Sequence, residues 1–312
     1  MLGLARKERR LNLVEEHLAR EPAFSDVIPD QKLLFHYTSF AGFLGIVGTQ
    51  SMWASCIHYL NDSREFKHGL DVAKDVAEQK LKDGKEKGAR RQLLERFIPA
   101  LEQYSRGYIY IASFTENGDL LSQWRGYAAS GGLSLGFDFG VLRLIAAQNE
   151  NGFRLIQCIY DNERKRRLAS AIIDDALIRV PEDADLEYGR IEKTAYGLVL
   201  SYFQLAAAFK DSSFAEESEW RFISRYVKAD NANVKVRATP RLLIPYYELP
   251  LDIGRTRQHG NSKARKDIGL EVIVIGPSAE QQLISSAVDV VTYGQGVWVT
   301  QQRRSQIPYR TL

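Results

Sequence analysis

Two patterns of hydrophobic residues alternate along the chain, and together they predict most of its secondary structure. Short runs rich in β-branched and aromatic residues predict strands. These runs lie at residues 33–37, 51–55, 108–114, 133–137, 154–160, 219–224, 234–237, 270–276 and 297–300. Longer stretches with apolar residues three and four positions apart predict helices. These stretches lie at residues 4–20, 39–47, 62–104 with a break near two glycines, 162–180, 184–209 and 278–288, and a short helix is predicted around residues 122–127.

The predicted strands and helices follow one another without a regular βαβ alternation. This order predicts an α+β fold with a mixed, mostly antiparallel sheet as its core. Residues 1–30 are predicted to form an N-terminal amphipathic helix and a linker marked by two prolines. Residues 31–312 are predicted to form a single α+β domain with helical insertions at about 62–105 and 161–210.

Composition limits the class of protein without naming its activity. The 312 residues are 45% hydrophobic and 26% charged, which is typical of a soluble protein with a large core. The two cysteines, Cys56 and Cys158, stand apart from any set of metal ligands, so neither a disulfide framework nor a structural zinc site is expected. No apolar stretch approaches bilayer-spanning length. We therefore expect a cytoplasmic protein with no membrane partner.

Positive charge is concentrated in two segments rather than spread along the chain. The formal net charge is only +3, but residues 164–167 read RKRR and residues 255–266 read RTRQHGNSKARK. Charge runs of this kind are usually solvated surfaces. The more specific alternative is that they contact the phosphates of a nucleic-acid or nucleotide partner, or bind a protein acceptor.

Several familiar catalytic motifs do not occur. The sequence contains no phosphate-binding loop of the G-x-x-x-x-G-K-[ST] type, no G-x-G-x-x-G after a strand and no H-E-x-x-H. Candidate chemistry must therefore come from residues that are separated in sequence.

Three such clusters combine polar and aromatic residues at the edges of apolar runs. They are HYTS at residues 36–39, LSQWRGYA at 121–128 and ESEWR at 217–221. In the third cluster, strand geometry places Glu217, Glu219 and Arg221 on one face, so that two carboxylates lie beside a cation. The alternative interpretation of that face is a solvated ion pair.

The first two clusters supply candidate ligand contacts. His36, with Tyr37 and Thr38, gathers hydrogen-bonding atoms where a strand ends, although a lone histidine near a strand end is often structural. Ser122 and Gln123 are predicted to contact a ligand. Trp124 and Tyr127 have the spacing of packing residues on a helix, and stacking on a ligand ring is the alternative.

These motifs resemble a known family. Matching pieces lie at residues 36–39, 60–65, 113–116, 122–124 with 127, 136–137, 217–221 and 307–310. In that order they resemble the bacterial domain-of-unknown-function family numbered 2971. The order and residue types are also similar to those of ADP-ribosyltransferases, which split nicotinamide from NAD and transfer ADP-ribose to protein or nucleic acid.

The second resemblance implies an ADP-ribosyltransferase-like fold, NAD as the substrate, and a role for each candidate residue. Glu219, Glu217 and His36 would be catalytic. The residues that would hold NAD are His36, Tyr37, Thr38, Ser122, Gln123, Trp124, Tyr127 and Arg221. Bond cleavage passes through a cationic, oxocarbenium-like state, which a carboxylate in a poorly hydrated cleft stabilises.

Three functions are therefore considered. The first is an NAD-dependent ADP-ribosyltransferase or NAD glycohydrolase, acting as a toxin or phage-defence effector, with an antitoxin as a possible partner. The second is a non-catalytic module that binds nucleotides or nucleic acid. The third is a metal-dependent nuclease using Asp62, Glu65 and the Glu217/Glu219 pair. It ranks last because Asp62 and Glu65 have the spacing of a helix capping box.

Overall fold

The computed structural model describes residues 33–60, 63–103, 108–181, 188–260 and 262–308. The N-terminal helix predicted at residues 4–20 and the linker after it lie outside these ranges, as does Asp62 of the predicted capping box. The statements below concern the described residues.

Eight α-helices occur in this part of the chain. They are α1 (Phe40–Thr49), α2 (Ser63–Lys82), α3 (Gly88–Gln103), α4 (Leu121–Tyr127), α5 (Phe139–Gln148), α6 (Asn162–Ile178), α7 (Tyr188–Ala206) and α8 (Gln281–Gly294). Two 3-10 turns accompany them at Ile57–Tyr59 and Ser212–Glu217. None of the described helices is both long enough and apolar enough to span a membrane.

Twelve strands alternate with these helices in the same ranges. They are β1 (Leu33–Ser39), β2 (Ser51–Cys56), β3 (Tyr110–Thr115), β4 (Gly132–Asp138), β5 (Arg154–Gln157), β6 (Glu219–Ile223), β7 (Val234–Ala238), β8 (Leu243–Pro250), β9 (Thr256–Arg257), β10 (Arg265–Lys266), β11 (Leu270–Ile275) and β12 (Gln301–Arg304). Ten of them form one sheet, while β9 and β10 form a separate hairpin.

The large sheet is antiparallel in all but one of its strand pairs. Its order is β12-β11-β4-β1-β3-β2-β8-β7, and β6 pairs with both β3 and β5. Only β11 and β12 are parallel. The predicted α+β fold with a mostly antiparallel sheet is therefore confirmed.

Helices cover both faces of the sheet. On one face, α2, α3, α6 and α7 pack against Ile111, Ile156 and Ile223. On the other face, α1, α5 and α8 cover a cluster that includes Phe114 and Phe222. Both β3 and β6 are buried on both faces, and the charged residues Glu219 and Arg221 of β6 are buried with them. The two predicted helical insertions thus pack together as one layer.

Local sequence signals set several element boundaries. Ser39 is the N-cap of α1, where its hydroxyl accepts a hydrogen bond of 3.1 Å from the amide of Gly42. Asp138 caps α5 in the same way, with 2.8 Å from the amide of Val141 to the carboxylate. Side-chain acceptors at this position satisfy amides that lack a partner inside the helix.

Two of the longer elements were missed, as was the short β9–β10 hairpin, and two others are displaced. The sequence analysis assigned no helix at Phe139–Gln148 and no strand at Leu243–Pro250, and both exist. The strand predicted at residues 297–300 forms instead at Gln301–Arg304, and the helix predicted at 278–288 runs over Gln281–Gly294. The strand prediction at 154–160 was too long, because only Arg154–Gln157 pairs.

Prolines explain why β8 was overlooked. Pro245 and Pro250 break the strand pattern, since proline cannot donate to a sheet ladder. In the structure, Pro245 pairs only with β7 and Pro250 only with β2. Each proline therefore lies where the strand has a neighbour on one side, and the missing donor is tolerated.

Candidate active site

A cleft forms where β1 and β2 diverge along one edge of β3. β1 pairs with β3 through Phe35 and Thr115, whereas β2 pairs with Tyr110 and Ile111 at the other end of that strand. The cleft is small, with a cavity volume of about 40 Å³, and is partly open to solvent. Its lining residues are Phe35, His36, Tyr37, Ser113, Phe114, Thr115, Gln123, Tyr127, Glu217 and Glu219. All three sequence clusters therefore contribute to one cleft.

His36 is held in a defined tautomer. Its Nδ1 lies 2.9 Å from the carbonyl oxygen of Ser113, and because a carbonyl only accepts, Nδ1 carries the proton. Burial lowers the pKa of His36, and the hydrogen bond to Ser113 only partly offsets this effect. The ring is therefore neutral at pH 7, and its Nε2 is available as an acceptor.

Tyr37 fixes the loop that leads into α4. Its hydroxyl donates to the carbonyl of Asn117 at 2.9 Å and accepts from the amide of Leu120 at 2.7 Å. Burial raises the pKa of Tyr37, so the hydroxyl stays protonated. The edge of the ring packs against Trp124, with 4.6 Å between ring centroids. Tyr37 thus connects the first sequence cluster to the second.

The residues of α4 divide between the cleft and the core. Gln123 lines the cleft although it is only 7% exposed, and among the described residues its amide has no hydrogen-bond partner. Tyr127 lines the cleft and is 50% exposed. Trp124 instead lies in the core, where its Nε1 donates to Asp119 at 2.7 Å. Its role in the structure is packing.

Two further predicted contacts lie outside the cleft lining. Ser122 is exposed, and Thr38 lies over Gly42 in the first turn of α1. The candidate ligand contacts that the structure brings together are therefore His36, Tyr37, Gln123 and Tyr127.

The acidic side of the cleft is a buried network of charges. Lys210 Nζ lies 2.5 Å from Glu219 Oε2 and 2.8 Å from Glu217 Oε2. Arg221 Nε lies 2.8 Å from Glu219 Oε1, and its Nη2 lies 3.0 Å from Glu219 Oε2. Both oxygens of Glu219 are thus engaged by cations. For the second oxygen of Glu217, the described residues provide no partner.

The helical layer supplies the rest of this network. Arg221 Nη2 lies 3.1 Å from Glu65 on α2, and its Nη1 donates to the carbonyl of Ala207 at 2.8 Å. Glu65 was interpreted from sequence as a capping residue, and the structure uses it as an ion-pair partner. Three carboxylates against two cations leave one net negative charge when all five groups are ionised.

The network keeps Glu219 ionised despite its burial. Burial alone raises the pKa of a carboxyl, but Arg221 and Lys210 outweigh this effect and lower the pKa of Glu219 to about 2. Burial likewise acts to lower the pKa of Lys210, and the two glutamates reverse the direction and raise it. Glu219 is therefore a fixed negative charge near pH 7.

The predicted strand face is confirmed for part of the third cluster. Glu219 and Arg221 point to the helical layer, while Trp220 and Phe222 belong to the cluster on the opposite face. Glu217 precedes the strand in a 3-10 turn, and Ser218 between them has the left-handed φ of 41°. The turn, rather than strand alternation, brings Glu217 to the cleft.

Sequence analysis missed Lys210, which joins the two glutamates. Lys210 follows the apolar run of α7 directly, and a single lysine after such a run gives little signal of a buried ion pair. Thr115 was also missed, and its hydroxyl donates to the carbonyl of Glu217. The roles of both residues depend on contacts between segments that are distant in sequence.

The basic segment at 255–266 is largely occupied by contacts within the protein. Arg255 and Arg257 lie 3.1 and 2.8 Å from Asp267, and Lys266 lies 2.8 Å from Asp252. Arg265 stacks over two aromatic rings. The segment forms the β9–β10 hairpin, so much of its charge is compensated locally.

The basic segment at 164–167 begins α6, as predicted, and its charges are also engaged. Lys165 is buried and donates to the carbonyl of Lys210 at 2.7 Å, while Arg166 lies 3.2 Å from Asp75. Lys165 therefore supports the backbone beside the acidic cleft rather than facing a partner.

The fold and cleft together define an α+β protein with a preorganised acidic site. The model of a family described as "Protein of unknown function (DUF2971)" matches residues 123–222, from Gln123 on α4 to Phe222 on β6. This match supports the resemblance to family 2971 and includes both glutamates of the cleft. No curated protein and no solved structure matches the chain.

Proposed function

We propose that the protein breaks the bond between nicotinamide and ribose in NAD, as an ADP-ribosyltransferase or an NAD glycohydrolase with an ADP-ribosyltransferase-like site. The observation that carries this proposal is the buried pair of carboxylates, Glu217 and Glu219, held by cations beside a neutral histidine. The substrate NAD is the only cofactor that the proposal requires.

The chemistry needs negative charge where a ribose cation develops. When the glycosidic C–N bond breaks, its electron pair leaves with neutral nicotinamide and the sugar becomes oxocarbenium-like. A preorganised charge in a water-poor site stabilises such a state without reorganising during the reaction. Glu219 supplies this charge, because its position is set by two cations and its low pKa prevents protonation.

Glu217 has the different role of contacting the reacting groups. Its carboxylate is more exposed than that of Glu219 and only one oxygen is held by Lys210. The other oxygen can accept a hydrogen bond from a ribose hydroxyl or take the proton of the attacking acceptor. With water as the acceptor, the balanced products are nicotinamide, ADP-ribose and a proton.

The opposite wall of the cleft suits the nicotinamide end of the substrate. Gln123 offers both an amide donor and an amide acceptor on this wall. Nicotinamide carries a complementary carboxamide. Tyr127 provides a ring for stacking, and His36 Nε2 an acceptor for a ribose hydroxyl.

The biological part of the proposal is an NAD-consuming effector in the cytoplasm, acting as a toxin or in phage defence. A cell that carried such an activity would need an antitoxin or another control. Expression of the wild type should then slow growth and lower cellular NAD, whereas the Glu217→Gln variant should do neither.

The two alternatives differ in their support. A non-catalytic nucleotide-binding module would use the same cleft and keep the ion network as a structural feature. The nuclease alternative has less support, because Lys210 and Arg221 occupy carboxylate oxygens that a metal would need. Within the described residues, no group of three or more His, Cys, Asp or Glu side chains is placed to hold a metal ion.

The test is nicotinamide release from NAD by the wild type and four variants, with and without cell extract or RNA as an acceptor. Glu219→Gln and Glu217→Gln should reduce release by at least about tenfold. Glu216→Gln is the matched control, since Glu216 is exposed and adjacent in sequence. Gln123→Leu should raise the KM for NAD.

Each outcome decides between the functions. Release that is lost in Glu217→Gln and retained in Glu216→Gln, with unchanged melting temperatures, supports NAD cleavage. A wild type that binds NAD without releasing nicotinamide supports the binding module. A wild type that neither binds nor cleaves NAD, and that cleaves nucleic acid when Mg²⁺ is added, supports the nuclease.

A further inference from the structure

Strands β2, β8 and β7 carry aromatic and basic side chains on one face at the end of the large sheet. Strand alternation and cross-strand pairing place six residues there: Trp53 and Ser55 of β2, Tyr246 and Glu248 of β8, and Lys235 and Arg237 of β7. We call this surface the Trp53 face. The alternate residues of β8, such as Tyr247 and Leu249, belong to the cluster on the opposite side of the sheet.

Trp53 is the exposed tryptophan among the four in the chain. Its exposed fraction is 39%, whereas Trp124 and Trp220 are buried in the core and Trp298 is half-buried. The ring of Tyr246 lies against the indole, with 4.5 Å between ring centroids and a tilt of 33°. None of the three apolar clusters of the described residues includes Trp53 or Tyr246. An exposed indole supported by a second ring offers a surface on which a planar ring can stack.

Arg237 lies beside the indole without an acidic partner. Its Nη2 donates to Ser55 at 3.1 Å, and its Cζ lies 5.7 Å from the centroid of the Trp53 ring. Within the described residues no carboxylate forms an ion pair with Arg237, and its buried Nε has no hydrogen-bond acceptor. Burial lowers the pKa of Arg237, because its charged form is incompletely solvated. The guanidinium can therefore turn towards an anion without breaking an ion pair.

The hairpin that carries Arg237 is basic along its whole length. Residues 234–247 contain Lys235, Arg237 and Arg241 and no carboxylate. Glu248 is the carboxylate of the Trp53 face, and it is engaged by Lys235 and by the hydroxyl of Ser51. Three cations against one carboxylate give this part of the sheet a net positive charge, which is complementary to phosphate.

The geometry of the Trp53 face favours a single strand of nucleic acid over other phosphate-bearing ligands. A base stacks on an aromatic side chain only when one side of the base is free, and the bases of a duplex are already stacked. Small molecules bind in concave sites that bury most of their surface, whereas Trp53 lies on a sheet surface. A strand that crosses the face gains several contacts at once, because its bases meet rings and its phosphates meet cations.

We propose that the Trp53 face binds single-stranded nucleic acid, with one base stacked on Trp53 and neighbouring phosphates bound by Arg237 and the other cations of the hairpin. This binding does not depend on the proposed cleavage of NAD. The failure of either proposal therefore leaves the other standing.

The experiment measures binding to the full-length protein by fluorescence anisotropy. The probes are short fluorescein-labelled single-stranded DNA and RNA of the same sequence, with unlabelled duplex DNA as a competitor. Trp53→Leu removes the stacking ring, and its control is Tyr59→Leu, since Tyr59 is 40% exposed in a 3-10 turn. Arg237→Gln removes a charge from β7, and Arg303→Gln removes the same charge from β12 at the other end of the sheet.

The two variants of the Trp53 face should weaken binding in different ways. Trp53→Leu should reduce affinity about fivefold or more and leave its salt dependence unchanged, because stacking releases no counterions. Arg237→Gln should reduce affinity about fivefold or more and lower the magnitude of the salt slope by about 0.7. Each control should change affinity by less than about twofold. The duplex should compete at least about tenfold less well than the unlabelled single strand.

A second measurement distinguishes lost binding from misfolding. Trp53→Phe keeps an aromatic ring and should recover most of the affinity that Trp53→Leu loses. Addition of the unlabelled single strand should quench the tryptophan fluorescence of the wild type, and this quenching should disappear in Trp53→Phe. Melting temperatures of all variants accompany both measurements.

Three results would overturn the proposal. The first is a wild type that binds neither single-stranded probe. The second is equal weakening by Tyr59→Leu and Trp53→Leu, or equal competition by duplex and single strand. The third is a wild type that forms dimers, loses them in Trp53→Leu and binds no oligonucleotide, which would assign the Trp53 face to a second copy of the chain.

Discussion

The two cavities near the ends of β6 use charge in opposite ways. At the Glu219 end, carboxylates and cations are buried together and hold one another within hydrogen-bonding distance. Near the Ile223 end, three arginines, Arg143, Arg154 and Arg225, surround a groove with one carboxylate among its lining residues. The first arrangement fixes a charge in place, and the second brings three guanidinium groups together around one cavity.

This comparison shows that charge density along a sequence is a poor guide to an electrostatic site. Residues 164–167 and 255–266 are the most basic runs of the chain, yet several of their cations are paired or buried. The arginines of the groove are isolated in sequence. Pairing and burial, which only the fold sets, decide which charges can act on a partner.

The largest effect should come from removing the central cation of the acidic network. Arg221→Met leaves Glu219 and Glu65 buried without their main partner, and breaking a buried ion pair in this way costs about 3–5 kcal/mol. Arg225→Met is the matched change four residues later, at an exposed position of the groove, and should cost less than about 0.5 kcal/mol. Urea denaturation measures both.

Equal losses in the two arginine variants would contradict the contrast between a buried charge network and an exposed arginine four residues later.

The next effect concerns the dependence of stability on pH. The pKa of Glu219 is about 2 in the folded protein against an ordinary value of 4.5, so its ionised form stabilises the fold. This contribution, about 3 kcal/mol, is present above pH 4.5 and is lost as the pH falls towards 2. The wild type should therefore lose its stability advantage over Glu219→Gln on acidification.

The measurement is the difference in unfolding free energy between wild type and Glu219→Gln at a series of pH values. Glu216→Gln controls for the removal of an exposed carboxylate. A stability difference that does not change between neutral and acidic pH would show that the network does not hold the proton off Glu219.

The smallest effect tests how the groove is built. Gly152 and Gly84 both have left-handed φ values, of 59° and 67°, but a Cβ meets Arg225 at the first position and open space at the second. Gly84→Ala should cost about 1 kcal/mol from backbone strain alone. Gly152→Ala should cost more than this, because the added Cβ would also meet the side chain of Arg225.

Thermal denaturation of the two variants measures the difference. If Gly152→Ala and Gly84→Ala destabilise the protein equally, the side chain of Arg225 accommodates the added Cβ without cost.

Much of the fold could be predicted because its signals are local. The strand at Leu33–Ser39, the capped helix after it and the break between α2 and α3 follow from residue type and spacing. The helix at Phe139–Gln148 was missed although it has a capping aspartate and an apolar face, and β8 was missed because its prolines are tolerated only where a neighbouring strand is absent.

The candidate site was predictable only in part, for a related reason. Residue type identified His36, Gln123, Glu217 and Glu219, and the structure places them around one cleft. The same reasoning gave Trp124 a ligand-binding role, yet it lies in the core, since residue type cannot tell which side of a short helix faces the sheet.

The sequence by itself determined most of the strands and helices, the three polar clusters and the presence of paired glutamates, because these depend on near neighbours in the chain. Only the tertiary structure decided that Lys210 joins the two glutamates, that Arg221 pairs with both Glu219 and Glu65, and that three arginines distant in sequence line one groove. The physical reason is that pairing, burial and solvation of a charge are set by groups that meet across the fold.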